Sequence, residues 1–384
     1  MWASASIGEG GGDDEPINRW HCYDQATTQV CVASSVNRMS RYHRQTLLPE
    51  IGDAGQRRLA ASRVLLVGCG ALGTVIADQL VRAGVGWLRI CDRDIVETTN
   101  LQRQVLFDES DAAAELPKAI AAAQRLGRVN SAVTVDARVV DVDTGNVEEL
   151  AGVAGAGSRA DLLLDGTDNV ETRYLLNDIA VKHGLPWVYG ACVGTTGRVM
   201  AIRPGVTPCL RCLFPEAAGP GELPTCDTAG VLGPAAAVVA SLQSIAAIKL
   251  LVGDTTALAE ELLTLDVWAN RIKSVSTRDA RRDDCPTCGR RQFEFLERDA
   301  SSATSLCGRD AIQVRPSNPR ARLDGKTVAA RLTGVAQVEV TPHFTRARLP
   351  EGIGLTVFPD GRAIVNGTTD PARARAIYAR YVGG

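Results

Sequence analysis

Three sets of residues in this chain carry definite chemistry. Gly68, Gly70 and Gly73 form a Gly-x-Gly-x-x-Gly turn after the apolar run Val64-Leu65-Leu66-Val67. In such a turn the first glycine permits the tight bend and the second lets phosphates approach the backbone. The third lets helix pack on strand, so that the phosphates face a helix N-terminus. Taken alone, the pattern is either an ordinary strand-to-helix turn or a site for a dinucleotide of the NAD type. Asp92 lies 19 residues beyond Gly73, where an acidic residue takes ribose hydroxyls in this kind of fold, or else simply ends a strand. Cys209-Leu210-Arg211-Cys212 and Cys285-Pro286-Thr287-Cys288 are two thiolate hooks. One pair alone would suit redox chemistry, whereas two suit a closed tetrahedral zinc site, the second being framed by Pro286 and Gly289 as in zinc knuckles. Cys226 has no paired thiol and sits in a stretch holding Gly219, Pro220, Gly221 and Pro224. A loop can deliver a nucleophile, and a loop cysteine with no duty is the alternative. Cys69, Cys91 and Cys192 fall at strand ends and read as small buried apolar residues. His43 and His183 lack the partner spacing of a triad or metal site and read as structural.

These residues need a scaffold, and the hydrophobic pattern supplies one. Residues 63–67 read as a buried parallel strand and 72–83 as the helix after it. A helix over 50–61 precedes them, and a second strand, 87–91, leads to Asp92. Further on come a helix over 117–129 with Pro117 in its first turn, a strand over 133–139, a short buried strand over 161–165 and a helix over 170–183. Strands at 187–191 and 198–203, then a strand pair within 262–276, complete the main part. Alternating strands and helices predict an α/β fold, a doubly wound, mostly parallel sheet with the two cysteine hooks tethering an extension. The run 231–252 is apolar but contains Pro234, Ser241, Gln243, Ser244 and Lys249, which predicts a buried core helix and no membrane span.

The totals agree with a globular protein. The chain has 384 residues, 45% apolar and 22% charged, with a net charge of -2. That balance exerts no general pull on nucleic acid or anionic membrane, so a charged ligand must meet a local constellation. Eleven cysteines, an odd number, predict a reducing cytoplasm and a metal more than a disulfide framework. Residues 1–38 are rich in Gly, Ser, Asp and Thr and read as a disordered extension, with Met39 as the expected natural start. Residues 39–290 form the main domain, and the polar, basic stretch 291–320 reads as a linker. Residues 321–384 read as a small α+β domain of unassigned role, with strands at 327–332, 337–341, 354–358 and 363–365 and a helix over 371–381.

Five further motifs occur between Arg41 and Val231: Arg41-Tyr42-His43-Arg44-Gln45, the segment 94–104 with Asn100, Arg103 and Gln104, Pro117-Lys118, Asp165-Gly166-Thr167-Asp168-Asn169, and Thr225-Cys226-Asp227-Thr228-Ala229-Gly230-Val231. With the glycine turn and the cysteine pairs they make the chain, from about Arg41 to Cys288, resemble the MoeB/ThiF/HesA family of adenylyltransferases, related to the adenylation domains of ubiquitin-activating enzymes. The resemblance replaces NAD by ATP as the expected ligand. It implies ATP-dependent adenylation of the C-terminal glycine of a ubiquitin-like sulfur carrier of the MoaD/ThiS type, priming it for thiocarboxylate formation. Gly68, Gly70, Gly73, Asp92, Asn100 and Gln104 would hold the nucleotide. Arg103 and Lys118 would meet its phosphates, Asp168 would handle Mg2+, and Arg44 would reach across from a second subunit of a homodimer. Cys226 would attack the acyl-adenylate or join a persulfide relay, and Cys209, Cys212, Cys285 and Cys288 would hold Zn2+. A sulfurtransferase or cysteine desulfurase would supply sulfur.

The chemistry fits these types, since bringing a carboxylate to a phosphate crowds negative charge and calls for cations. Arg103 offers a planar fork and Lys118 a mobile point charge. Outside the motif context, both would be solvated charges and Asp168 a helix cap, with Asn169 as the alternative cap. Two other classes remain: activation of a different carboxyl or carbamoyl substrate such as modified tRNA, and a nucleotide-binding scaffold without chemistry. The chain ends Gly383-Gly384, as sulfur carriers do, yet the terminal domain has no ubiquitin-like pattern, and the tail is expected merely to follow the last helix.

Overall fold

The computed structural model describes residues 41–383 except 156, 220, 221, 223, 259, 299–302, 306–309 and 317–321, and also the backbone of 20–25 and 28–33. Those two early segments, β1 (Trp20–Gln25) and β2 (Thr28–Ala33), pair as an antiparallel hairpin. The expected disordered extension therefore contains regular structure, because Tyr23, Val30 and Val32 suit a pleated strand better than the flanking Gly-rich residues suggest. The expected start at Met39 lies outside the described residues.

An eight-stranded sheet organises the main domain. Its strands are β3 (Arg63–Val67), β4 (Trp87–Asp92), β5 (Thr134–Val139), β6 (Leu162–Asp165), β7 (Trp187–Val193), β8 (Thr196–Ile202), β9 (Glu261–Asp266) and β10 (Arg271–Ser276), in the spatial order β10-β9-β8-β7-β6-β3-β4-β5. The five strands from β7 to β5 are parallel, and β8, β9 and β10 continue antiparallel. The chain runs outward from β3 through β4 to β5, then returns to place β6 on the other side of β3. Strand order reverses there, and the crevice at the carboxyl ends of β3 and β6 is where open α/β sheets bind ligands.

Helices cover both faces, so β3 and β6 are apolar along their lengths, with Val64, Leu65, Leu66, Leu162, Leu163 and Leu164 fully buried. One face carries the helices Ala71–Ala83, Lys118–Val129 and Gly233–Val252, and the other carries Val170–His183. Gly233–Val252 is, among the described residues, the one helix long and apolar enough to cross a membrane. It packs instead across the glycine-turn helix and strands β7 and β8. Gln243 lies buried on it and donates to the carbonyl of Asp165 at 2.7 Å, an arrangement of a core helix.

The expected linker holds regular structure among its described residues. Phe293 and Phe295 bury against the main domain around a short helix, Glu294–Glu297. β11 (Ala303–Ser305) and β12 (Ala311–Val314) then begin a second sheet, completed by β13 (Gln337–Val340), β14 (Thr345–Arg348), β15 (Gly354–Val357) and β16 (Ala363–Asn366). This six-stranded sheet is antiparallel throughout, in the order β11-β12-β16-β15-β14-β13. The C-terminal unit thus starts near 303, not 321. All four residues of β12 are buried, so the alternation that marks a half-exposed strand is missing from it. The expected strand over 327–332 is the helix Gly325–Leu332, capped by Asp324, whose side chain accepts from the Thr327 amide at 3.0 Å. The helix Pro371–Tyr381 closes the core of this unit with Ala374 and Tyr378.

Candidate nucleotide and adenylation site

The glycine turn is held by close backbone packing. Gly68 has φ +90°, and a Cβ on it would stand 2.6 Å from the Gly166 carbonyl carbon. A Cβ on Gly73 would run into the Gly68 carbonyl, so helix and strand meet only because both positions lack side chains. Gly70 differs: a Cβ there would meet nothing nearer than Gln104 Nε2 at 3.9 Å. The space over Gly70, at the N-terminus of the helix Ala71–Ala83, is the room a phosphate group needs. Asp92 lies buried at the end of β4, with Oδ2 accepting from the Cys69 amide at 2.6 Å and Oδ1 from the Asp94 amide at 2.7 Å. Burial pushes its carboxyl above the usual range, against Lys118 and the two amide donors, which favour the charged form. Burial also drives the Cys69 thiol far up and the Cys91 thiol up to about 12, so both are inert apolar fillers as expected.

Lys118 starts its helix next to this turn. Its Nζ lies 3.0 Å from Asp94 Oδ2 and its amide donates to the Asp94 carbonyl at 2.9 Å. Burial alone would lower the ammonium's pKa, but Asp94, Asp92 and Asp168 outweigh it and raise it, so Lys118 is a buried permanent cation. Gln104 is buried, and its Oε1 has no hydrogen-bond partner among the described residues, an orphan acceptor beside the open glycine that a nucleotide would satisfy. Arg103 is half-buried in the same turn; Nη1 donates to the Thr99 carbonyl at 2.8 Å, and among the described residues no other partner holds the guanidinium, whose remaining donors can meet an anion. Gly233, which opens the long helix, packs against Arg103, since a Cβ on it would lie 3.6 Å from Arg103 Cα. Asn100 has a local job: its Oδ1 accepts from the Glu97 amide at 3.1 Å in a capping box that shapes this loop.

Across the crevice, Asn169 takes the cap of the helix Val170–His183, with Oδ1 accepting from the Thr172 amide at 3.0 Å. That resolves the choice between two caps and leaves Asp168 as an exposed carboxylate at the mouth of the site. Beneath it lies a pair that sequence reasoning missed. Asp165, fully buried, meets Arg173 Nε at 3.1 Å, and Arg173 Nη2 donates to the Thr167 carbonyl at 2.7 Å. Burial raises the Asp165 carboxyl while Arg173 opposes it, and together they brace the loop that presents Asp168. A carboxylate ending the otherwise apolar strand Leu162–Asp165 needs a partner, and Arg173, one turn into the next helix, was the available signal.

Arg44 does not join this cluster within one chain. Its short helix, His43–Thr46, packs near the C-terminal end of Ala71–Ala83, where Gln45 Nε2 donates to the Ala83 carbonyl at 3.0 Å. The glycine turn is at the opposite end of that 13-residue helix, about 20 Å away at 1.5 Å per residue. Cys226 opens the four-residue helix Cys226–Ala229, capped by Thr225, and its side chain lies outside the described residues.

The four paired cysteines do converge. Their sulfurs all lie within 4.8 Å of one another, with Cys209 to Cys285 at 3.6 Å, Cys209 to Cys212 at 3.9 Å and Cys212 to Cys288 at 3.3 Å. A zinc ion bound by four thiolates at about 2.3 Å sets its sulfurs roughly 3.8 Å apart, so the donor set fits. Asp178 supports the second hook, accepting from Thr287 Oγ1 at 2.9 Å and from the Phe295 amide at 2.8 Å.

Comparison with known proteins agrees with this geometry. The model of the ThiF family matches residues 42–287. Sulfur carrier protein ThiS adenylyltransferase of Bacillus subtilis is 42% identical over 345 residues, 89% of this chain and 99% of that protein. Sulfur carrier protein adenylyltransferase of Thermus thermophilus is 38% identical over 70% of this chain and 97% of its own length. Among solved structures, Escherichia coli MccB with MccA-N7isoASN superposes with a TM-score of 0.57 at 21% identity, covering 67% of this chain and 77% of that one, a likeness of fold. The family model spans well over half of the chain and the Bacillus subtilis relative most of it, and on that ground the protein belongs to the ThiF family.

Proposed function

We propose that this protein is an adenylyltransferase that activates the C-terminal glycine of a ubiquitin-like sulfur carrier ending in Gly-Gly. The observation that carries the reading is the convergence of open Gly70, buried Lys118, Arg103 and exposed Asp168 on one crevice at the sheet's switch point. The carrier's terminal carboxylate attacks the α-phosphorus of ATP, the bond to the β-phosphate's bridging oxygen breaks, and pyrophosphate leaves. No proton must move, so the crevice needs cations and alignment more than a base. Gly68, Gly70 and Gly73 admit the phosphates, Asp92 faces the ribose, and Gln104 offers its unpaired amide oxygen. Lys118 and Arg103 offset the growing charge. Asp168 would hold magnesium, which when bound screens the phosphate oxygens.

Cys226 is the proposed nucleophile that takes over the activated acyl group or carries persulfide sulfur from a sulfurtransferase or cysteine desulfurase. The four-cysteine cluster would hold a structural zinc with no open position for catalysis. Arg44 serves a second subunit's site in a homodimer; Leu47 and Leu48, which follow it, and Val238 and Ile245 on the long helix are exposed apolar side chains that such an interface would cover. Free thiols and this chemistry belong in the cytoplasm. The test is ATP–pyrophosphate exchange with candidate carriers: exchange that requires a carrier's Gly-Gly terminus supports the reading. Exchange driven by tRNA, or none at all with any carrier, overturns it.

A further inference from the structure

The C-terminal unit touches the main domain at one place in particular, the residue between Asp92 and Asp94. Arg362, in the turn before β16, donates from Nη2 to the main-chain carbonyl of Arg93 at 2.8 Å. The side chain of the same Arg93 donates from Nη1 to Asp141 Oδ1 at 3.2 Å. Asp141 is in turn held by β12 and the residue after it, through Gln313 Nε2 at 2.5 Å and through the Arg315 guanidinium. Residue 93 is therefore gripped twice by the C-terminal sheet, directly at its backbone and through Asp141 at its side chain.

Arg362 is built for that task. It is 2% exposed, lies over the Phe358 ring at 3.6 Å and is fixed by Asp360 at 3.0 Å from Nε. Burial lowers its pKa, against Asp360, Asp141 and Asp94. Its Nη1 has no partner among the described residues. An arginine withdrawn from water this completely, with one donor unsatisfied, is costly to keep unless its remaining bonds hold something in place.

What they hold is the turn that organises the nucleotide site. Asp92 on one side of Arg93 accepts from the Cys69 amide of the glycine turn, and Asp94 on the other pairs with Lys118. We propose that the C-terminal unit is a positioning clamp for the ribose and phosphate ends of the ATP site, with Arg362 as its positioning residue. Resting on the nucleotide assignment above, this gives the last eighty residues a role in substrate binding and none in bond making. The clamp leaves the reacting atoms alone, so its loss is felt as weakened ATP binding and much less as slowed chemistry.

The full-length protein tests this with Arg362→Met, which keeps an apolar contact on Phe358 but removes the charge and every donor, Arg362→Lys, which restores a single donor group, and Arg346→Met, which breaks the unit's separate contact with Glu115. ATP·Mg affinity is measured by calorimetry and the exchange reaction is run over a range of ATP. The expected result is a roughly tenfold rise in both Kd and KM for ATP in Arg362→Met with kcat within about twofold, partial recovery in Arg362→Lys, and Arg346→Met close to the parent. Unchanged Kd in Arg362→Met overturns the clamp, as does an equal loss in Arg346→Met, which would make the effect one of general docking. Should Arg362→Met fail to fold, Asp141→Asn cuts the other grip and must raise Kd in the same direction. A parent protein that binds no ATP overturns the nucleotide assignment itself, an outcome distinct from unchanged affinity in the variants.

Discussion

At the scale of single residues, the site depends on charges that have been taken out of water and balanced. Lys118 stays ionised because Asp94 and Asp92 outweigh its burial. Replacing it with Met should lower ATP–pyrophosphate exchange about a hundredfold, an effect of the size seen when one preorganised charge donor is lost. Asp165 and Arg173 make a second balance, and its two halves are unequal in consequence. Arg173→Met leaves a fully buried carboxylate alone and should cost about 3–5 kcal/mol of stability by urea denaturation at neutral pH. The sign with pH follows from burial, which raises the folded Asp165 carboxyl above its unfolded value. That group's contribution is full below the unfolded pKa and is lost as pH rises through the folded one, more so in the variant. Arg173→Met should therefore sit closest to the parent in acid and fall behind it as pH rises toward neutrality; a constant gap across that window would refute the assignment.

Among the elements, the glycine turn separates two uses of the same residue type. Gly73 is there because helix and strand touch, whereas Gly70 faces open space, which the proposed function fills with phosphate. Gly73→Ala should destabilise the fold by about 1–3 kcal/mol through overpacking. Gly70→Ala should leave thermal stability near that of the parent while weakening ATP binding at least about tenfold, since the added methyl occupies the phosphates' space. The cysteine hooks join the short helix Leu210–Leu213, with Cys209 at its cap, to the chain's exit from the main domain at 285–288. Elemental analysis should find one zinc per chain, and Cys285→Ser or strong chelation should lower the melting temperature by roughly 5–10 °C.

For the molecule as a whole, the distance of Arg44 from its own glycine turn makes the assembly testable. If it completes the partner's site, Arg44→Ala and Arg103→Ala dimers are each inactive, yet a mixed dimer has one site with both arginines. Random reassociation of equal amounts should restore about a quarter of the parent's exchange activity. No recovery on mixing would mean that each chain works alone. The C-terminal unit is equally a property of the whole, since its grip on Arg93 runs between residues more than 200 positions apart.

Much of this was legible in the chain because local rules operate there. The strand-turn-helix around Gly68 to Gly73 and the Cys-x-x-Cys hooks are decided within a few residues, and their spacing announces them; the cap of the helix Val170–His183 is narrowed to Asp168 or Asn169, and the structure chooses Asn169. The helix Gly325–Leu332 read as a strand because its eight residues carry too few turns for a period to show, and β12 was lost in an apparent linker because burial on both faces erases alternation. Sequence by itself named the candidate residues for phosphate and metal, and carried the expectation that cations, not a base, dominate such a site. Only the tertiary structure decided which of them meet. Packing spent Asn100 on a loop cap, freed Asp168, paired Asp165 with Arg173, kept Arg44 a helix length from its own site and set Arg362 against Arg93, because contacts between distant segments follow the shape of the sheet and the cost of burying charge.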